Sequence, residues 1–146
     1  MSNNVELPPG RTLNQAFAER GIPDVIKIEA FPLMGDQVSV FFEEASSSRR
    51  QGVWLKTDGG IFVNGKLCGS VDLWMDSSPA VVDCRCVSAN RILYLYNIWE
   101  RDGVRSSLAY SSGMRVEEIR SGRRYRCNDI GFDTRFDSLI FRVENR

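Results

Sequence analysis

The chain has 146 residues, 42% of them hydrophobic and 26% charged, with nineteen acidic and nineteen basic side chains and no histidine. That length suits a single domain, 1–146, which buries roughly 70% of the surface its unfolded chain exposes and needs no disulfide to hold a core. Without histidine there is no Ser/His/Asp triad, no His-paired cysteine and no imidazole metal ligand, so carboxylates, thiols, tyrosines and three lysines are left for any chemistry.

Sixteen of the nineteen bases are arginine, and they drift toward the C-terminus: eight bases and eleven acids precede Arg91, and eleven and eight follow from it. That offset steers an anion or a second protomer but is too weak for a nucleic-acid stripe, so no nucleic-acid partner is expected. No apolar run approaches the ~20 residues that span a bilayer, so no membrane partner is expected either. Met1 to Gly10 is polar with two prolines; it reads as a flexible tail without a secretory signal, which favours a cytoplasmic location.

In chain order, Thr12 with Gln15 three residues later has the form of a capping box, and Leu13, Ala16 and Phe17 share a face before Gly21 and Pro23 stop the helix. Two turns are too few to stand alone, so this helix must dock on a sheet. Period-two alternation follows. Val25 to Phe31 sets Ile26, Ile28 and Ala30 against Lys27 and Glu29, and Gln37 to Glu43 sets Val38, Val40 and Phe42 against Gln37, Ser39 and Glu43. Short strands at Gly52 to Thr57 and Ile61 to Val63 lead into Asn64-Gly65, the strongest short hairpin signal, because a type I′ turn needs φ > 0 at both positions. Further strands are predicted for Leu67–Met75, Ala80–Val87, Arg91–Trp99, Arg105–Tyr110, Met114–Arg120, Arg123–Cys127 and Ser138–Glu144. About ten strands at near-even spacing with one short N-terminal helix predict an all-β domain, a two-sheet antiparallel β-sandwich with jelly-roll character. Arg91 to Trp99 is apolar on both faces, which predicts a strand covered twice or a face buried in a homo-oligomer.

Four cysteines, Cys68, Cys84, Cys86 and Cys127, allow three disulfide connectivities or one four-thiolate site. Cys84 and Cys86 share a strand face with Val82 and are separated by one residue rather than the two to four of zinc sites, so the thiols read as core packing and no zinc is expected.

Three constellations are candidates for function. If Val71, Leu73 and Met75 point inward, then Asp72, Trp74 and Asp76 share the outer face, and Trp54 turns outward beside Lys56; with Asn97 and Trp99 they offer flat apolar rings and directional polar groups, as a sugar or a protein partner requires. The hairpin Val116 to Cys127, turning at Ser121-Gly122, pairs Glu117 with Arg126 and gathers Arg115, Arg124 and Arg126 on one face as an anion cluster. Asn128, Asp129, Asp133 and Asp137 lie within ten residues between strands, hard oxygen ligands that suit calcium, or the Asx turns that lead into a strand.

The segment Asp133 to Phe141, DTRFDSLIF, resembles the closing motif of bacterial calcium-type β-sandwich domains at Asp133, Phe136, Asp137, Leu139 and Phe141. The likeness covers nine residues and implies calcium at the acidic positions, but Arg135 and Ser138 stand where that motif has acids. The expectation is therefore a non-catalytic module that recognises carbohydrate or a protein through a tryptophan-bearing sheet face, with no cofactor but for calcium at the acidic loop. A self-associating structural protein is the alternative, and a glycan-active enzyme using the Asp72/Asp76 carboxylates comes third.

Overall fold

The computed structural model describes residues 7–132 and 135–146. The structure is all-β, as the alternation predicts, but the two-sheet sandwich with jelly-roll character does not form; one antiparallel sheet closes on itself as an eight-stranded barrel. Its ring runs β2 (Ile26–Pro32), β9 (Gly113–Ile119), β10 (Gly122–Asn128), β11 (Leu139–Asn145), β3 (Gln37–Glu44), β6 (Val81–Cys86), β4 (Gln51–Val63) and β7 (Ile92–Arg101), and β7 returns to β2. The closing ladder joins Pro32 to Ile92 and Glu29 to Leu95. Strand spacing in a sequence is the same for a sandwich and a barrel. Only that long-range pairing distinguishes them, and no local pattern encodes it.

Three strands lie outside the ring. β1 (Thr12–Leu13) pairs β2, β8 (Val104–Ser107) pairs β7, and β5 (Lys66–Trp74) pairs β4 alone. β4 runs thirteen residues because it joins the two short strands expected at 52–57 and 61–63, the residues between them being absorbed as a break in its register with β5. Its first half pairs β7 from Gln51 to Lys56, and its far end pairs β6 at Ile61 and Phe62. Asn64 and Gly65 close the β4–β5 hairpin with φ of 52° and 76°, as the type I′ reading requires.

Eight strands enclose an interior that side chains fill. Val53, Leu55, Leu93, Leu95, Tyr125 and Phe141 belong to one continuous buried cluster. β7 is buried on both faces from Leu93 to Trp99 within the single chain, so the covered strand is realised and the apolar face needs no second protomer. The helix is one turn, Gln15–Glu19. Asn14, not Thr12, caps it by accepting from the amides of Ala16 and Phe17, because Thr12 is already extended in β1. Phe17 packs with Val25 and Phe136 in a small second cluster. The flexible-tail expectation falls largely on residues 1–6, which lie outside the described residues.

The ring is thinnest between β2 and β9, which share one pair, Ile26 with Met114. There a buried charge replaces backbone pairing. Glu29, expected outward, is fully buried and accepts from Arg11 Nε at 2.8 Å and Nη2 at 3.0 Å, and from the Tyr125 hydroxyl at 2.8 Å, with Arg123 Nη1 at 3.4 Å. A buried carboxylate survives only with such compensation.

Candidate functional site

The nominated tryptophan face is built on the β5–β4–β7–β8 order, which extends beyond the ring at both edges. Trp54 stands opposite Tyr96 on β7 and Asp72 on β5, and the two rings stack at 4.4 Å and 14°. Arg105 on β8 donates to Asp72 on β5 from Nε at 2.6 Å and Nη2 at 3.0 Å, so one ion pair spans the two strands that carry the stacked rings. Further along, the Arg50 guanidinium lies 4.4 Å over the Trp74 ring and donates to Asp76 at 2.7 Å and Glu100 at 2.9 Å. The same ring packs against Gly52, where a Cβ would meet Trp74 Cε3 at 2.9 Å and the Leu73 carbonyl oxygen at 2.5 Å.

Trp54, Asp72, Trp74 and Asp76 are thus gathered on one face, while Asn97 and Trp99 are not. Asn97 points inward and donates to the Asn128 carbonyl at 3.0 Å, and Trp99 is fully buried with its indole N–H unpartnered. A saccharide stacking on Trp74 has to lift Arg50 from the ring, and both candidate carboxylates already accept from arginine. The face is arginine-laced, and its aromatic rings and carboxylates are already engaged within the chain.

The outer edge of this face is β5. No residue of Lys66–Trp74 makes a backbone hydrogen bond to any described strand but β4. Leu67 is 52% exposed, and a Cβ built on Gly69 meets nothing within 4 Å.

The arginine hairpin turns at Arg120-Ser121, one residue earlier than expected, which shifts the register by two: Ile119 pairs Gly122, so Arg124 faces Glu117 and Arg126 faces Arg115. Gly122 is required at this turn, because a Cβ there would sit 1.8 Å from the Val143 carbonyl oxygen. Arg124 leaves the cluster for Glu43 at 2.7 Å and Glu117 at 2.8 Å. Those hydrogen bonds raise its pKa and, with Arg142, hold the Glu43 carboxyl below its usual value against burial. Arg115 and Arg126 stay together and line a groove of about 280 Å³ with Val116, Glu117, Arg135 and Phe136.

The acidic loop is divided. Asp133 lies outside the described residues. Asp129 is buried; its Oδ2 accepts from Ser47 at 2.6 Å and Gln51 at 3.0 Å with Arg49 at 3.5 Å, and its Oδ1 accepts from the Ile130 amide at 2.7 Å. Burial pushes its carboxyl up, but those donors outweigh burial and hold it below the usual value. Asp137 and Asp129 line a separate groove beside Ser47 and Arg49. Calcium at Asp129 would have to displace protein donors from both oxygens, and no cluster of three His, Cys, Asp or Glu able to hold a metal occurs among the described residues.

All four thiols are free. Burial pushes Cys84 up to about 12 and Cys86 up to about 11, and raises Cys127 as well; Cys68, on the β5 edge, is half-exposed. The Glu29 network is the feature missed in the sequence. Its signal was there: if Arg124 and Arg126 face out, Arg123 and Tyr125 face in, and an inward arginine needs an acid. Compared with known families, curated proteins and solved structures, this closed barrel with its outlying β5 arm matches none.

Proposed function

We propose that the protein is a non-catalytic recognition module that accepts an extended strand along β5, and that the strand is β5 of a second copy. The observation that supports this is the one-sided pairing of β5: a barrel removes its own sheet edges, yet this chain keeps nine residues beside it with a free row of backbone donors and acceptors. A two-fold antiparallel pairing centred on Gly69 puts Lys66 opposite Asp72 and Leu67 opposite Val71, so opposite charges and apolar side chains meet and no like charges do. Arg105 and Arg50 fix the adjoining aromatic face, which limits the entropy lost on association.

Sedimentation equilibrium of the wild type should give twice the 16.6 kDa chain mass. Leu67→Lys, which adds an edge charge, and Lys66→Glu, which opposes acid to Asp72, should each return the monomer mass with unchanged circular dichroism. A wild type that stays at one chain mass, or a dimer indifferent to both substitutions, refutes the reading.

A further inference from the structure

We propose that Arg115 and Arg126 form a binding site for a phosphoryl dianion. The two residues are directly paired across β9 and β10, and like charges placed so are mutually destabilising. Neighbouring arginines on the barrel resolve this with carboxylates. Arg124 has Glu43 and Glu117, and Arg142 has Glu43 and Glu144. Arg115 and Arg126 have no carboxylate within salt-bridge distance among the described residues; the Arg115 guanidinium lies 5.7 Å from the Phe136 ring centroid. Glu117, the acid in their groove, already accepts from Arg124 at 2.8 Å.

Both arginines are exposed and line the same groove of about 280 Å³, which admits a phosphate and part of the molecule bearing it. Two arginines paired on one sheet face and lining one groove, with Arg135 beside them, offer planar forks that suit the oxygens of a tetrahedral dianion. A dianion answers the paired charges of Arg115 and Arg126 better than a monoanionic carboxylate does. The other flank of Arg126 on β11 is Ile140, so the sheet supplies no competing acid from that side.

The test is isothermal titration of the full chain at fixed ionic strength with inorganic phosphate and with phenyl phosphate, alongside thermal melts. One site per chain is expected, with Arg115→Gln and Arg126→Gln each binding about tenfold or more weakly, while Arg120→Gln at the hairpin turn binds as the wild type does. Without phosphate at low salt, the Arg115→Gln and Arg126→Gln proteins should melt no lower than the wild type, since each relieves a repulsion. Tighter binding of phenyl phosphate identifies an organic phosphate as the ligand; equal binding identifies the free ion. Absence of saturable binding of both probes up to about 10 mM, or equal binding by wild type and both glutamine variants, overturns the site.

Discussion

The inward and outward faces of β10 carry alternate residues of one short arginine-rich segment, and they treat charge in opposite ways. Inward, Arg123 and Tyr125 converge on the fully buried Glu29, which Arg11 grips from the N-terminal segment. Outward, Arg124 is tied to two glutamates while Arg126 faces Arg115. In the interior an unmatched charge costs several kcal/mol, so every oxygen of Glu29 is used. At the surface water screens the repulsion, so an unmatched pair survives at little cost to the fold. Matched charge here sits beside the thinnest junction of the ring, and the unmatched pair stands at the surface, where we propose that a phosphoryl group binds.

The comparison is sharpest if its buried half is broken. Glu29→Ala leaves Arg11, Arg123 and Tyr125 facing an empty site at the thinnest part of the ring, and urea unfolding should show a loss of about 3–5 kcal/mol. A loss below about 1 kcal/mol would mean the network is as dispensable as a surface pair. Tyr125→Phe removes one donor and keeps the ring's packing, including its stacked contact with Phe141, so the expected loss is smaller, about 1–3 kcal/mol. Little change there would place Glu29's support in the arginines alone.

Acid should erode the matched pairs in a definite order of pH. Glu43, Asp129 and Glu144 all have carboxyls held below their ordinary values in the folded chain. The unfolded chain therefore takes up protons first as pH falls, so stability from these groups is present above the ordinary carboxylate range and is lost through and below it. Midpoints of thermal unfolding should fall steadily below about pH 4.5, and Glu43→Gln should flatten that decline. A midpoint that holds constant down to about pH 3 would contradict the shifts.

Much of this was legible from alternation alone. The Asn64-Gly65 hairpin, the inward Cys84 and Cys86 and the doubly covered β7 follow from residue type and period two. What failed depended on distance along the chain. Sandwich and barrel differ in whether Glu29 and Phe31 meet Leu95 and Leu93, and a strand's own residues do not name their partner. Alternation alone points Glu29 outward; it is buried because β2 serves two pairings and Arg11 arrives from eighteen residues away. The arginine hairpin slipped by two residues, which keeps every side chain on its expected face but exchanges Arg126's partner from Glu117 to Arg115. Trp54, Asp72, Trp74 and Asp76 share one face as the alternation of β4 and β5 implies, whereas Asn97 and Trp99 lie on a strand so apolar that its two faces look alike.

The ladder between β2 and β7 also sets an order of events during synthesis. Residues 29–32 find their partners at 92–95, between 60 and 66 positions later. At roughly 5–20 residues per second, β2 waits several seconds after it is made before the strand that pairs with it exists. Throughout that interval Ile26 and Ile28 have only the two-residue β1 to pair with and Phe31 has no partner strand, and Arg11 and Glu29 can meet before Tyr125 is made. Such non-local closure makes folding slow for a chain this small, and it gives the nascent N-terminal third a need for protection that the finished barrel no longer has.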